Sequence, residues 1–159
     1  MKARLGIIVI LALVGMSLPA QEKGKAADSE LMRRAFSAWN SHDADKVVSF
    51  YTDDVVYEDV AYGEVSHGKA DFRKFAAGFF EAVPDLKVEV VSASAHNGRG
   101  SLEWVFSGTD KGLFKTGKKF SVRGASLFEM RSGKCSANKD FYDLATIMRQ
   151  LGVLPGKPA

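Results

Sequence analysis

Residues 71–95, DFRKFAAGFFEAVPDLKVEVVSASA, change their periodicity halfway along. Up to Val83 the apolar residues Phe72, Phe75, Ala76 and Phe79 recur three and four apart, which lays them along one stripe of a helix. Pro84 has no amide hydrogen with which to continue that helix. From Leu86 onward apolar and polar residues alternate, which is the spacing of a half-buried strand. The stretch therefore predicts a helix over 71–83 followed by a strand over 86–95.

Toward the C-terminus the alternation persists. Asn97-Gly98 is a hairpin turn signal, because both positions tolerate positive φ. Further strands are expected over 101–108, 120–130 and 135–142, with Ser132-Gly133-Lys134 turning the chain between the last two. Asp143 can cap a final helix over 144–151, which Gly152 ends. Toward the N-terminus, 63–68 reads as a loop and 55–59, rich in β-branched and aromatic residues, as extended. A short helix through Val47, Val48, Phe50 and Tyr51 is expected to end at Thr52-Asp53-Asp54. Another starts at Asp28 or Ser29 and carries Leu31, Ala35, Ala38 and Trp39 at helical spacing. Helices gathered on one side of an antiparallel meander make an α+β domain. A strongly bent sheet of this kind wraps the helices and leaves a pocket at its open end.

The first residues are expected to lie outside that fold. A short basic start with Lys2 and Arg4, an apolar run over 5–14 and the small or helix-breaking Ser17-Leu18-Pro19-Ala20 follow the order of a secretory signal peptide. The apolar run is shorter than the roughly 20 residues of a spanning helix. Export to the periplasm or the medium is expected, with cleavage after Ala20 and no membrane span afterwards. Residues 21–27 read as a polar leader and 152–159 as a loose tail, leaving 28–151 as one domain of ordinary size.

The net charge of +3 comes partly from the leader, so the domain is close to balanced. The basic residues over 111–119 include only Phe114 and Phe120 as aromatics, too few for a nucleic-acid platform. The single cysteine, Cys135, cannot form an internal disulfide. The scattered His42, His67 and His96 match no metal-ligand spacing. There is no phosphate-cradling glycine loop, and no cofactor is expected.

On the last strand, alternation places Ser136, Asn138, Asp140 and Tyr142 on one face, and Cys135, Ala137, Lys139 and Phe141 on the other. The first face has the polarity of a pocket wall. Tyr57, Trp104 and Phe128 are candidate walls or ordinary core. His67 either hydrogen-bonds a ligand carbonyl near the mouth or is a surface loop residue.

Phe50-Tyr51-Thr52-Asp53-Asp54-Val55-Val56-Tyr57-Glu58-Asp59 resembles the early helix-to-strand passage of the nuclear-transport-factor-2-like (NTF2-like) superfamily. His67-Gly68-Lys69 and then Phe79-Phe80-Glu81-Ala82-Val83-Pro84-Asp85-Leu86 resemble its SnoaL-like branch of polyketide cyclases. Trp104 with Gly108-Thr109, Thr116-Gly117-Lys118, and Gly133-Lys134 leading to Asp140-Phe141-Tyr142-Asp143-Leu144 continue the likeness in order. The resemblance implies an NTF2-like cone: a curved antiparallel sheet around N-terminal helices, an internal pocket and a C-terminal helix. It places Asp140 where the SnoaL-like cyclases carry their acid/base aspartate, and Asp59 where the related ketosteroid isomerases carry theirs. It also puts Ala35 and Ser126 where those isomerases hold oxyanion donors, which argues against steroid isomerase activity. The expected site is thus Asp140 and Asp59 as catalytic candidates, with Tyr57, His67, Trp104, Ser126, Asn138 and Tyr142 contacting substrate. Asp140 could instead brace the following helix, and Asp59 could close its strand. Three readings stay open: a cofactor-free isomerase or cyclase acting on a small carbonyl compound, a non-catalytic exported binder of an apolar ligand, and a homodimerisation module.

Overall fold

The computed structural model describes residues 20–156. The expected signal peptide and its cleavage site lie almost wholly outside them, and among the described residues no helix is long and apolar enough to cross a membrane. The elements are α1 (Ala20–Ser37), a 3₁₀ turn (Ala38–Ser41), α2 (Ala44–Val48), β1 (Tyr51–Asp59), β2 (Glu64–His67), α3 (Gly68–Ala82), β3 (Lys87–His96), β4 (Arg99–Thr109), β5 (Lys119–Arg131), β6 (Lys134–Tyr142) and α4 (Leu144–Leu151).

The six strands form one curved sheet in the order β2-β1-β6-β5-β4-β3. It is mixed, which corrects the expectation of a purely antiparallel sheet: β1 and β6 run parallel, with Asp59 opposite Asp140. No local pattern encodes that pairing, because it joins strands some 80 residues apart. Helices α1 and α3 pack on β3 and β1 respectively. Met32, Ala35 and Phe36 of α1 and Phe72 and Ala76 of α3 are buried between helices and sheet.

Both tight hairpins form as read. Asn97 and Gly98, and likewise Ser132 and Gly133, adopt the positive φ that these turns require. The Asp143 carboxylate caps α4 by accepting from the Thr146 amide at 3.0 Å.

Several details differ from expectation. Helix α1 begins at Ala20, so the polar leader is helical. Strand β1 starts at Tyr51, so Thr52-Asp53-Asp54 lie within a strand and do not end a helix. Asp53 and Asp54 are tolerated there because both are exposed and paired with Lys69 and Arg131 at 2.6 and 2.5 Å. The loop expected over 63–68 contains the short edge strand β2, antiparallel to β1. Finally, the pairing of β5 with β6 slips between Glu129 and Met130, and Ser136 is the extra residue. A bulge of this kind exchanges faces. Cys135 is therefore fully buried, on the inward side with Asn138 and Asp140. Ser136 is only half-buried, its hydroxyl donating to the Glu129 carbonyl at 3.2 Å. Beyond the bulge, alternation holds: Asn138 and Asp140 are buried while Lys139 is exposed and pairs with Glu58 at 2.7 Å.

Candidate active site

The parallel pairing sets two carboxylates side by side on the inner face of the sheet. Each has a tyrosine from the other strand. Tyr57, two residues before Asp59 on β1, donates to Asp140 Oδ2 at 2.6 Å. Tyr142, two residues beyond Asp140 on β6, donates to Asp59 Oδ2 at 3.0 Å. Alternation keeps residues two apart on one face, so all four side chains enter one space.

That space is a cavity of about 40 Å³. Its sheet wall consists of Tyr57, Asp59, Asp140 and Tyr142 with Trp104, Phe106, Leu86 and Val88, and the helical side is formed by Phe36, Trp39, Phe75 and Phe79. Tyr57 stacks on Phe72 at 4.1 Å between ring centroids, and Trp104 lies 5.3 Å from Phe36, which fixes both rings.

Asp140 is only 6% exposed. Besides Tyr57, it accepts from Ser126 Oγ and from Asn138 Nδ2, both on Oδ1 and both at 2.6 Å. Ser126 in turn accepts from Trp104 Nε1 at 2.8 Å. The backbone of β5 makes room for that indole: a Cβ at Gly124 would fall inside the Trp104 ring's van der Waals envelope. Burial pushes the Asp140 carboxyl up to about 6, more than Ser126, Tyr57 and Asn138 lower it, and the charge of Asp59 adds to the rise. Asp59 also titrates above its ordinary value, chiefly through burial, although the Tyr62 amide (2.9 Å) and the Tyr142 hydroxyl hold its ionised form. Burial likewise raises both tyrosines, with Asp140 the next cause for Tyr57 and Asp59 for Tyr142, so they stay protonated donors.

Of the residues singled out in the sequence, Asp140, Asp59, Tyr57, Trp104 and Tyr142 line the cavity. Ser126 and Asn138 stand behind Asp140 and orient it. Phe128 is buried outside the lining. His67 sits at the exposed end of β2, just ahead of α3, and does not reach the cavity, because the residues expected to form a loop at the mouth pair as an edge strand. Phe75 and Phe79, which the sequence places only on the apolar stripe of α3, form helical walls of the cavity. Burial pushes the Cys135 thiol up to about 12, which leaves it inert as a nucleophile. Among the described residues no group of three His, Cys, Asp or Glu side chains is placed to hold a metal ion.

A carboxyl titrating near neutrality can take up and return a proton, and a phenol can steady a developing oxyanion once its single O–H is free to donate. The sequence indicated no such donor at Ala35 or Ser126. The structure presents Tyr142 with Asp59 at a different point of the wall.

The fold is shared by proteins whose names span several chemistries. The chain superposes on a candidate SnoaL-like polyketide cyclase from Jannaschia sp. CCS1 with a TM-score of 0.73 at 18% identity, covering 89% of this chain and 100% of that one. AclR, a candidate hydroxylase from Streptomyces galilaeus, gives 0.72 at 25% identity over 84% and 86%. An LEH-like epoxide hydrolase of M. tuberculosis gives 0.68 at 16% identity over 82% and 92%. No curated protein matches the chain significantly in sequence. Residues 29–151 match the profile of the SnoaL-like polyketide cyclases. The chain accordingly belongs to the SnoaL-like polyketide cyclase family, with the NTF2-like, ketosteroid-isomerase-like fold.

Proposed function

We propose that the protein is a cofactor-independent acid/base enzyme of the isomerase or cyclase type, acting on a small carbonyl compound with Asp140 as the proton-transfer group. The observation that carries this reading is a carboxyl titrating at about 6 on the wall of an aromatic cavity, oriented by three neutral donors. Ionised Asp140 takes the proton from the carbon beside the carbonyl. The C–H electron pair moves onto the carbonyl oxygen, to which Tyr142 donates a hydrogen bond by turning its single O–H away from Asp59. The proton then returns to another carbon, giving isomerisation, or the enolate carbon attacks a second carbonyl and closes a ring, the new alkoxide taking the proton back from Asp140. Export, expected from the first residues, belongs to the same proposal: the protein recovered outside the cytoplasm would begin at or near Gln21.

A second reading is a non-catalytic exported binder of an apolar ligand. It is favoured by one feature: both phenolic hydroxyls are already committed to carboxylates, so no free donor faces the cavity. One experiment separates the two. Lactones, β-dicarbonyls and small enones are screened for turnover and affinity with wild type and Asp140→Asn. The enzyme loses about 10²–10⁴-fold in turnover with little change in affinity. Tight binding without turnover in either protein establishes the binder instead.

A further inference from the structure

The ion-paired acids of the surface and the acids of the cavity differ in their partners. On the surface Asp45, Asp53, Asp54, Glu58, Glu103 and Glu129 each pair with a Lys or Arg. In the cavity Asp59 and Asp140 have only neutral donors, and no Lys, Arg or His is among the lining residues. Two carboxylates in one apolar space without a counter-charge are costly, since a buried charge needs a partner of opposite sign. The walls that surround them are aromatic faces, whose quadrupoles attract a cation and most of all a weakly hydrated one.

We propose that the cavity recognises a compact alkylammonium group, held by Asp59 and enclosed by Trp39, Tyr57, Phe75, Phe79 and Trp104. The proposal rests on the same two carboxylates as the catalytic reading and narrows its substrate class to carbonyl compounds that carry an alkylated amine. Such a group beside the carbonyl acidifies the C–H bond that Asp140 attacks. Asp59 is the cation's partner because Asp140 already accepts three hydrogen bonds, whereas Asp59 accepts two side-chain-directed bonds and keeps lone pairs open. Size agrees. A cavity of about 40 Å³, on a scale where one water needs about 10–15 Å³, takes a group of about three or four heavy atoms. The remainder of a longer ligand has room in the adjoining hollow of about 250 Å³, which shares Phe75 and Phe79.

Calorimetric titration of the protein with choline and with its uncharged carbon isostere, 3,3-dimethylbutan-1-ol, tests the inference. Choline is expected to bind at least about tenfold more tightly, and Asp59→Asn to remove that preference. Should Asp59→Asn fail to fold, the wild type at two pH values supplies the answer. Asp59 faces the Tyr62 amide, the Tyr142 hydroxyl, the charge of Glu64 and Asp140; Asp140 faces Tyr57, Ser126 and Asn138; α1, α3, β3 and β4 contribute only aromatic and aliphatic side chains to the lining. Choline affinity should therefore fall from about pH 7.5 to about pH 5 as the carboxyls protonate, while the isostere's does not. Equal binding of the two compounds, tighter binding of the isostere, or no binding of either overturns the inference. The catalytic reading is scored separately, by turnover of amine-free carbonyl compounds in wild type against Asp140→Asn.

Discussion

Asp110 and Asp140 are both sealed from solvent, at 0% and 6% exposure, and each carboxylate accepts three hydrogen bonds. They nevertheless titrate in opposite directions. Asp110 opens the 110–118 connection between β4 and β5 and accepts from the amides of Phe114 and Thr116 and from the Thr116 hydroxyl, at 3.0, 2.8 and 2.8 Å. Burial pushes it up, but the Thr116 amide and then the Phe114 amide and Thr116 hydroxyl outweigh that, and the net value lies below the ordinary one. For Asp140 three donors do not offset burial, and Asp59 stands beside it. The number of hydrogen bonds therefore does not decide the titration. What decides it is the depth of low-dielectric surroundings and the sign of the nearest charge. Asp110 is ringed by amides of its own loop, whereas Asp140 lies among aromatic rings from both helices and sheet. One carboxylate ties a turn; the other is the group proposed to exchange a proton.

Turnover gives the widest separation between them. Asp140→Asn should lower it by about 10²–10⁴-fold, while Asp110→Asn should leave turnover per folded molecule within about twofold. Similar losses in both variants would erase the distinction.

Stability separates them the other way. Asp110→Ala leaves two loop amides and a hydroxyl without their acceptor, and urea unfolding at pH 7 should show a loss of about 2–3 kcal/mol. An unchanged midpoint would mean that the loop holds itself without the carboxylate.

The pH dependence of that midpoint tests both carboxyls together. Asp140 titrates at about 6 when folded against 3.8 as the ordinary value. The folded state therefore binds the extra proton between those values, and its contribution is fully present below pH 3.8 and lost as pH rises through about 6. At about 1.4 kcal/mol per unit this amounts to about 3 kcal/mol. Asp110 does the reverse: its contribution is present above 3.8 and lost as pH falls through its lowered folded value. Asp140→Asn should flatten the profile between pH 4 and 7, and Asp110→Asn should flatten it only below pH 4. A wild-type profile with no slope between pH 4 and 7 would count against the raised carboxyl.

The smallest effect comes from single donors. Ser126→Ala removes one of the bonds that favour ionised Asp140, so the acid limb of the pH–rate profile should move upward. An unmoved limb would show that Ser126 only fills space.

Local sequence determined the helices, the two hairpins and the inward set of β6 beyond its bulge. These follow from periodicity, from turn residues that accept positive φ and from Pro84, all of which act within a few residues. It also indicated Asp140, Tyr142, Asn138, Tyr57 and Trp104 as residues to examine. Local pattern misled where long-range contacts overrode it. Thr52-Asp53-Asp54 looks unlike a strand, yet it lies in β1 within the register shift between the β6 pairings of Tyr51 and Val56, with Asp53 and Asp54 held by surface ion pairs. Ser136 looks inward until the pairing of β5 with β6 slips past it. Only the tertiary structure joined β1 to β6 in parallel. That pairing sets Asp59 beside Asp140 and crosses their tyrosines, and the packing of α3 on β1 brings Phe75 and Phe79 over them, because the environment that raises a carboxyl's pKa is assembled from segments with no sequence proximity.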